Sequence, residues 1–134
     1  MSMIRYAQTA DLAHIHDPHI TSTMLERKVA AHEVIVIQHD DQIIGWLRFG
    51  YFWDSIPFMN LLWLDEPYRQ QGFGTQLVVW WENAMREQGH EQVWTSTFSH
   101  ETAQHFYRTL GYHDIGGFVL PNEPLELILI KELA

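Results

Sequence analysis

Residues 57–89 constrain the fold most, because the period of hydrophobicity changes once along them, and changes at glycine. PFMNLLWL (Pro57–Leu64) is apolar almost without alternation, the pattern of a strand covered on both faces. RQQGFG (Arg69–Gly74) follows. TQLVVWWENAMREQG then places Leu77, Val78, Trp80, Trp81, Ala84 and Met85 at helical spacing, with Gly89 as a natural stop. A buried strand feeding an amphipathic helix needs a layered fold with the helix on a sheet. Gly72 and Gly74, two apart at that junction, imply a main chain that comes close to a ligand or to a neighbouring segment.

The remaining segments fill in such a fold. MIRYA reads as a first strand, and Thr9 is placed to cap a helix through TADLAHIH, its hydroxyl accepting from free amides of the first turn. The stretch from Ser22 to Ala31 predicts a second helix. EVIVIQ and QIIGWLRFGYF read as a hairpin turning at His39-Asp40-Asp41. QVWTSTF predicts a strand, and HETAQHFYRTLGY a helix with Ala103, Phe106, Tyr107 and Leu110 on one face and Gly111 at its end. LELILIKEL closes the chain as a strand after Gly116-Gly117 and Pro121-Asn122. This order predicts an α/β (α+β) fold, a mixed and largely antiparallel sheet of about six or seven strands flanked by about four helices. With 134 residues and no linker, repeat or low-complexity segment, one domain over residues 1–134 is expected.

Composition narrows the function classes. Seventeen acidic residues against 8 basic give a formal charge of −9, which repels nucleic-acid phosphates, and no basic patch interleaved with aromatics overrides it. The acidity suits a cationic small partner or simply a solvated surface. No apolar run approaches the ~20 residues that cross a bilayer. MSMIRYAQTADL lacks the apolar core and cleavage site of a signal peptide. With 0 cysteines there is neither a disulfide framework nor a thiolate nucleophile, so a cytoplasmic location is expected.

Nucleotide readings of RQQGFG fail on specific residues. A dinucleotide fingerprint needs a third glycine where Leu77 stands, and an acidic residue near the end of the next strand, where QVWTSTFS has none. A Walker loop needs lysine after the glycine, but Thr75 and Gln76 follow Gly74. What survives is a strand, a glycine-containing turn and a helix N-terminus with Arg69 beside it. That is either a phosphate or pyrophosphate cradle or a tight strand–helix junction.

LLWLDEPYRQQGFGTQL and HETAQHFYRTLGY, one helix and one strand apart, resemble the two signatures of the GNAT superfamily of acyl-CoA-dependent N-acyltransferases. The first matches its apolar strand, acidic-Pro-Tyr turn and Arg/Gln-x-x-Gly-x-Gly/Ala; the second its Asn-x-x-Ala-x-x-x-Tyr helix ending in Leu-Gly-Phe/Tyr. The likeness runs from about residue 43 to 117. It implies acetyl-CoA (coenzyme A) as co-substrate. Backbone amides of Gln70, Gln71, Gly72, Phe73, Gly74 and Thr75, with Arg69, would bind the pyrophosphate. Leu62 and Leu64 would offer main-chain groups to the pantetheine arm, the amide near Leu64 polarising the thioester carbonyl. Tyr107 would protonate the departing thiolate.

Two positions depart from the family pattern. His100 stands where family members often carry asparagine, and can still donate a hydrogen bond to the cofactor. On the strand Pro57–Leu64, where many relatives place a catalytic carboxylate, Asn60 is the only polar residue, so the base comes from elsewhere: Asp54, Glu26 or ordered water. On spacing alone Tyr107 also reads as a packed core tyrosine. Among nine histidines, His14-x-His16-x-x-His19 is the densest group, and on a helix only His16 and His19 could share a ligand sphere, so no metal site is expected. Trp46, Tyr51, Phe52, Trp53, Phe58 and Trp63 read mostly as core. Trp53-Asp54 is the pair expected to be exposed in a turn, lining an acceptor pocket for a cationic amine or a homodimer face. The expected function is transfer of an acetyl group from acetyl-CoA to a primary amine of a small molecule or peptide, in a ternary complex. The alternative is a non-catalytic acyl-CoA-binding regulatory module.

Overall fold

The computed structural model describes residues 1–133. Val34–His39 (β2) and Gln42–Phe52 (β3) form an antiparallel hairpin. Its two-residue turn is Asp40-Asp41, at φ 51° and 66°, the left-handed pair that matches strand twist and that Asp tolerates. Ser2–Tyr6 (β1) lies antiparallel to β2, with Ile4 opposite Ile37. Ile56–Leu64 (β4), Gln92–Phe98 (β5), His113–Phe118 (β6) and Glu126–Glu132 (β7) complete a seven-stranded sheet in the order β1-β2-β3-β4-β5-β7-β6. β4 and β5 run parallel, with Met59 opposite Thr95, whereas β7 is antiparallel to both β5 and β6. The helices are Ser22–Ala30 (α1), Phe73–Glu87 (α2) and Ala103–Thr109 (α3), with short 3-10 helices at Thr9–His14 and Glu66–Tyr68. The mixed, mostly antiparallel architecture expected from the element order is the one observed.

The chain folds as two compact units, one built from residues 1–50 and 61–81, the other from 51–60 and the chain from Glu82 onward. In the first, Ala7, Ile15, Leu25, Val29, Val34, Val36 and Trp46 form a buried cluster edged by Leu12, Ile20, Ile43 and Leu61. Leu77, Val78 and Trp81 of α2 are fully buried there, as their helical spacing requires, each contributing roughly 1.5–3 kcal/mol. In the second, Phe58, Trp94 and Ile128 pack with Phe52, Ile56 and Ile130.

Local chemistry differs from the sequence expectation in three places. Thr9 does not cap the first helix. It is the first residue of the 3-10 helix, and the end is closed by Asp11, whose carboxylate accepts from the Gln8 amide at 2.7 Å. That helix stops at His14, so His16 and His19 lie beyond it and the helical-face argument does not apply to them. β4 is covered on both faces only at Pro57–Met59; Asn60 and Trp63 are exposed. Thr21 does cap α1, its hydroxyl accepting from the Met24 amide at 3.3 Å. Among the described residues no helix is long and apolar enough to cross a membrane.

Candidate functional site

The segment from the end of β4 to the start of α2 is built to leave amides unpaired. Pro67 sits at the start of the Glu66–Tyr68 turn, where its fixed φ and missing N–H are harmless. The turn is closed by Tyr68 N–H to Asp65 O at 2.9 Å and Arg69 N–H to Glu66 O at 3.2 Å. The chain then passes through left-handed conformations at Gln70 (φ 60°) and Gly72 (φ 90°), and the first helical bond runs from Gln76 N–H to Gly72 O. Among the described residues, the amides of Gln70 to Thr75 therefore donate to no main-chain carbonyl. They sit at the positive end of a 15-residue helix, where free amides and the helix dipole favour negative charge. A Cβ added at Gly72 would meet nothing within 4 Å, so the space a side chain would fill is open to a ligand. The residues present fit a pyrophosphate.

Three side chains hold this loop. The Gln71 side-chain Nε2 donates to Pro67 O at 2.7 Å. Arg69 is exposed, and its charge is held in place. Its Nε donates to Leu64 O at 2.8 Å and its guanidinium lies 4.7 Å from the centre of the Trp63 ring, so it first fixes the end of β4. Phe73 packs its ring 5.3 Å from His39 and 6.2 Å from Tyr68. His39 was not legible as part of this region, since only β2–β3 pairing brings it here. Beneath lies Gly45 of β3, where a Cβ would fall 2.5 Å from Trp63 O and 2.6 Å from Leu64 Cδ2, so β4 is pressed against β3 at the residues expected to receive the pantetheine arm. Leu62 and Leu64 are half-buried.

Tyr107 is on α3 in the other unit and is 7 % exposed. Burial raises its phenol to about 12 and the nearby Glu101 charge adds to this, while a side-chain hydrogen bond with Thr95 opposes it. The Thr95 hydroxyl donates to Met59 O at 3.0 Å. Tyr107 is thus fully protonated at neutral pH, the state a proton donor needs. α3 begins only at Ala103, so His100 lies outside it, in the exposed turn before the helix, with its ring 5.8 Å from that of Phe98. The structure brings Leu62, Leu64 and Arg69–Thr75 together on one unit, and His100 and Tyr107 on the other.

The two residues put forward as bases are both exposed, Glu26 on α1 and Asp54 in the β3–β4 turn. Glu26 borders a cleft of about 510 Å³ whose walls include Leu12, Ile15, His16 and Leu25. The loop forming that cleft is pinned by an unanticipated buried pair: Arg48 Nε to Asp17 Oδ2 at 3.0 Å, with the Asp17 side chain wholly buried. A second cleft of about 480 Å³ is lined by His14, His16, Asp41 and Asp65 among others. Trp53, in the turn with Asp54, is 73 % exposed, its ring 4.8 Å from Phe52 and 5.6 Å from Trp94. No group of three or more His, Asp or Glu side chains among the described residues is placed to hold a metal ion.

A family model described as an acetyltransferase (GNAT) domain matches residues 30–114, well over half of the chain. The chain belongs to the GNAT acetyltransferase family. The matched stretch contains the Gln70–Thr75 amides and Tyr107. Among solved structures, this GNAT chain is similar to Ard1 from Thermoplasma volcanium, with 14 % identity, TM-score 0.87, and 99 % of this chain and 98 % of that one covered. It also resembles a GNAT-family acetyltransferase from Bacillus cereus ATCC 10987 (20 % identity, 98 % and 97 % covered, TM-score 0.80). The PaiA N-acetyltransferase from Thermoplasma acidophilum, solved in complex with coenzyme A, is similar too (14 % identity, 98 % and 99 % covered, TM-score 0.79). At such identities these likenesses show the GNAT fold. No curated protein sequence matches the chain.

Proposed function

We propose that this GNAT protein transfers an acetyl group from acetyl-CoA to a primary amine of a small molecule or peptide, directly, in a ternary complex. The observation that carries this reading is the row of unpaired amides from Gln70 to Thr75 around an open Gly72. With Arg69 they bind the pyrophosphate of coenzyme A, as the Thermoplasma acidophilum N-acetyltransferase binds coenzyme A. Main-chain groups of Leu62 and Leu64 hold the pantetheine arm, and the amide near Leu64 stabilises the oxyanion that forms as the amine attacks the thioester. Holding the thioester at a fixed position makes attack effectively unimolecular.

Tyr107, buried and protonated, supplies the proton to the departing thiolate. His100 contacts the cofactor from the turn before α3. A free alkylammonium has a pKa of about 10.4, so the amine loses a proton before attack, to Glu26, Asp54 or water. With 0 cysteines, the chain has no thiol through which to form an acyl-enzyme. The net charge of −9 favours a cationic acceptor, and a cytoplasmic place of work is part of the same reading.

A second reading is a module that binds acyl-CoA without turnover, and exposed Asn60 favours it because β4 then lacks a base. One experiment separates the two. The protein is incubated with acetyl-CoA and a panel of polyamines, aminoglycosides, amino acids and peptide N-termini, and free thiol is followed alongside thermal stability. Thiol release with at least one amine supports transfer. Stabilisation without release for any amine supports the binding module, and no stabilisation by acetyl-CoA would sink both.

A further inference from the structure

Glu82 is 3 % exposed, on the face of α2 that otherwise carries Leu77, Val78, Trp81 and Met85. A carboxylate there is unfavourable unless both oxygens are satisfied. They are. Oε1 accepts from Lys131 Nζ of β7 at 2.9 Å, and Oε2 accepts from the Tyr112 hydroxyl at 2.8 Å. Tyr112, 3 % exposed, rests its ring edge-on against Tyr107, with centroids 5.7 Å apart and planes at 62°. Its amide also donates to Tyr107 O at 3.1 Å, and the Lys131 ammonium lies 5.9 Å from the centre of its ring. Phe106 bears edgewise on Tyr107 as well, at 5.2 Å. The Tyr107 phenol therefore cannot swing without displacing Tyr112, and Tyr112 cannot move without breaking its bond to a buried carboxylate.

We propose that Glu82 is a positioning residue for Tyr107, acting through Tyr112, with Lys131 holding the carboxylate in place. The proposal rests on the reading of Tyr107 as the proton donor. A buried ion pair is seldom a net source of stability compared with apolar side chains of the same volume. What this one supplies is a fixed orientation for a phenol that must present its proton in one direction. Burial and the Glu82 charge keep Tyr112 protonated well above the ordinary range of a phenol, so its hydroxyl is always available to the carboxylate.

The test uses the whole protein with coenzyme A itself, so no acceptor is needed. A correctly aimed Tyr107 hydroxyl stabilises the thiolate of bound coenzyme A, lowering its pKa, which is read by titrating ultraviolet thiolate absorbance in the complex. Tyr112→Phe keeps the packed ring and removes the bond to Glu82; Glu82→Gln removes the charge and keeps the shape. Each should raise the bound thiol's proton affinity several-fold while leaving coenzyme A affinity within about twofold. In a Tyr107→Phe background the same changes should have no further effect. A thiol pKa unchanged in Tyr112→Phe and Glu82→Gln but raised in Tyr107→Phe would overturn the positioning role and leave the Tyr107 reading standing. Additive effects in the double variants would overturn it too, since a purely structural loss adds. No change in Tyr107→Phe itself would overturn both.

Discussion

Replacing Gly45 by alanine tests how closely β3 and β4 are pressed together under the expected thioester. The added Cβ would fall 2.5 Å from Trp63 O, 2.6 Å from Leu64 Cδ2 and 3.3 Å from Ile37 Cγ2. Ordinary contact begins at 3.4 Å, so the carbonyl must withdraw by 3.4 − 2.5 = 0.9 Å. The leucine methyl can rotate away, but Trp63 O is main chain and can retreat only if β4 moves. Overpacking of this kind costs about 1–3 kcal/mol. The stiffer unfolded chain of an alanine variant offsets about 0.4–1 kcal/mol. The clash wins, leaving a loss of about 1–2 kcal/mol, and at roughly 3–5 °C per kcal/mol for a chain of this size Tm falls by several degrees. Urea unfolding and a thermal scan read the stability. Thiol release from acetyl-CoA, measured well below the midpoint, reads the site. Turnover should fall further than the folded fraction, because a misplacement of ~1 Å near the reacting atoms is worth up to ~100-fold. A Gly45→Ala protein with wild-type Tm and wild-type turnover would refute the reasoning.

Other expectations concern the cradle, the tyrosine and two ion pairs. Gly72→Val should raise the dissociation constant for acetyl-CoA about tenfold or more in calorimetric titration, and lower stability by about 1–3 kcal/mol because φ is +90° there. Tyr107→Phe should lower turnover about tenfold or more with little change in acetyl-CoA affinity, and equal turnover would remove its assigned role. Arg48→Met, which strands the wholly buried Asp17 carboxylate, should destabilise by about 3–5 kcal/mol in urea unfolding, and Asp17→Asn/Arg48→Met by much less. The hydrogen bonds that Arg5 donates hold the Asp11 carboxyl below its ordinary range. A carboxyl with a depressed folded-state pKa stabilises above its unfolded value of about 3.9 and loses that contribution as pH falls through the folded value. The stability gap between wild type and Asp11→Asn should therefore be full at neutral pH and close below about pH 4.

Much of this molecule was legible from local rules. β-Branched runs at 34–39, the Asp40-Asp41 turn, the helical stripe of α2 and the loop from Arg69 to Gly74 all follow from chemistry within one or two turns of chain. Two features that were not legible depend on partners far away in sequence. Glu82 follows Val78 by four residues and so borders the apolar stripe of α2, but its partners are hidden until Lys131, 49 residues on, and Tyr112, 30 residues on, are folded against it. Asp17 looks like one of a histidine-rich surface group until Arg48 takes it into the interior. The Thr9 difference is local: the N-cap falls at Gln8, whose amide donates to Asp11, and Asp11 is also tied to Arg5 and so fixes that end more firmly than a hydroxyl could.

The central claim is direct acetyl transfer to an amine. It is tested most directly by mixing the protein with acetyl-labelled acetyl-CoA and an amine, quenching within a single turnover, and asking where the label is. The account predicts label in the amine in step with released thiol, and none on the protein at any time. Label held covalently by the protein before it reaches the amine, or no label in any amine while acetyl-CoA is bound, would contradict it.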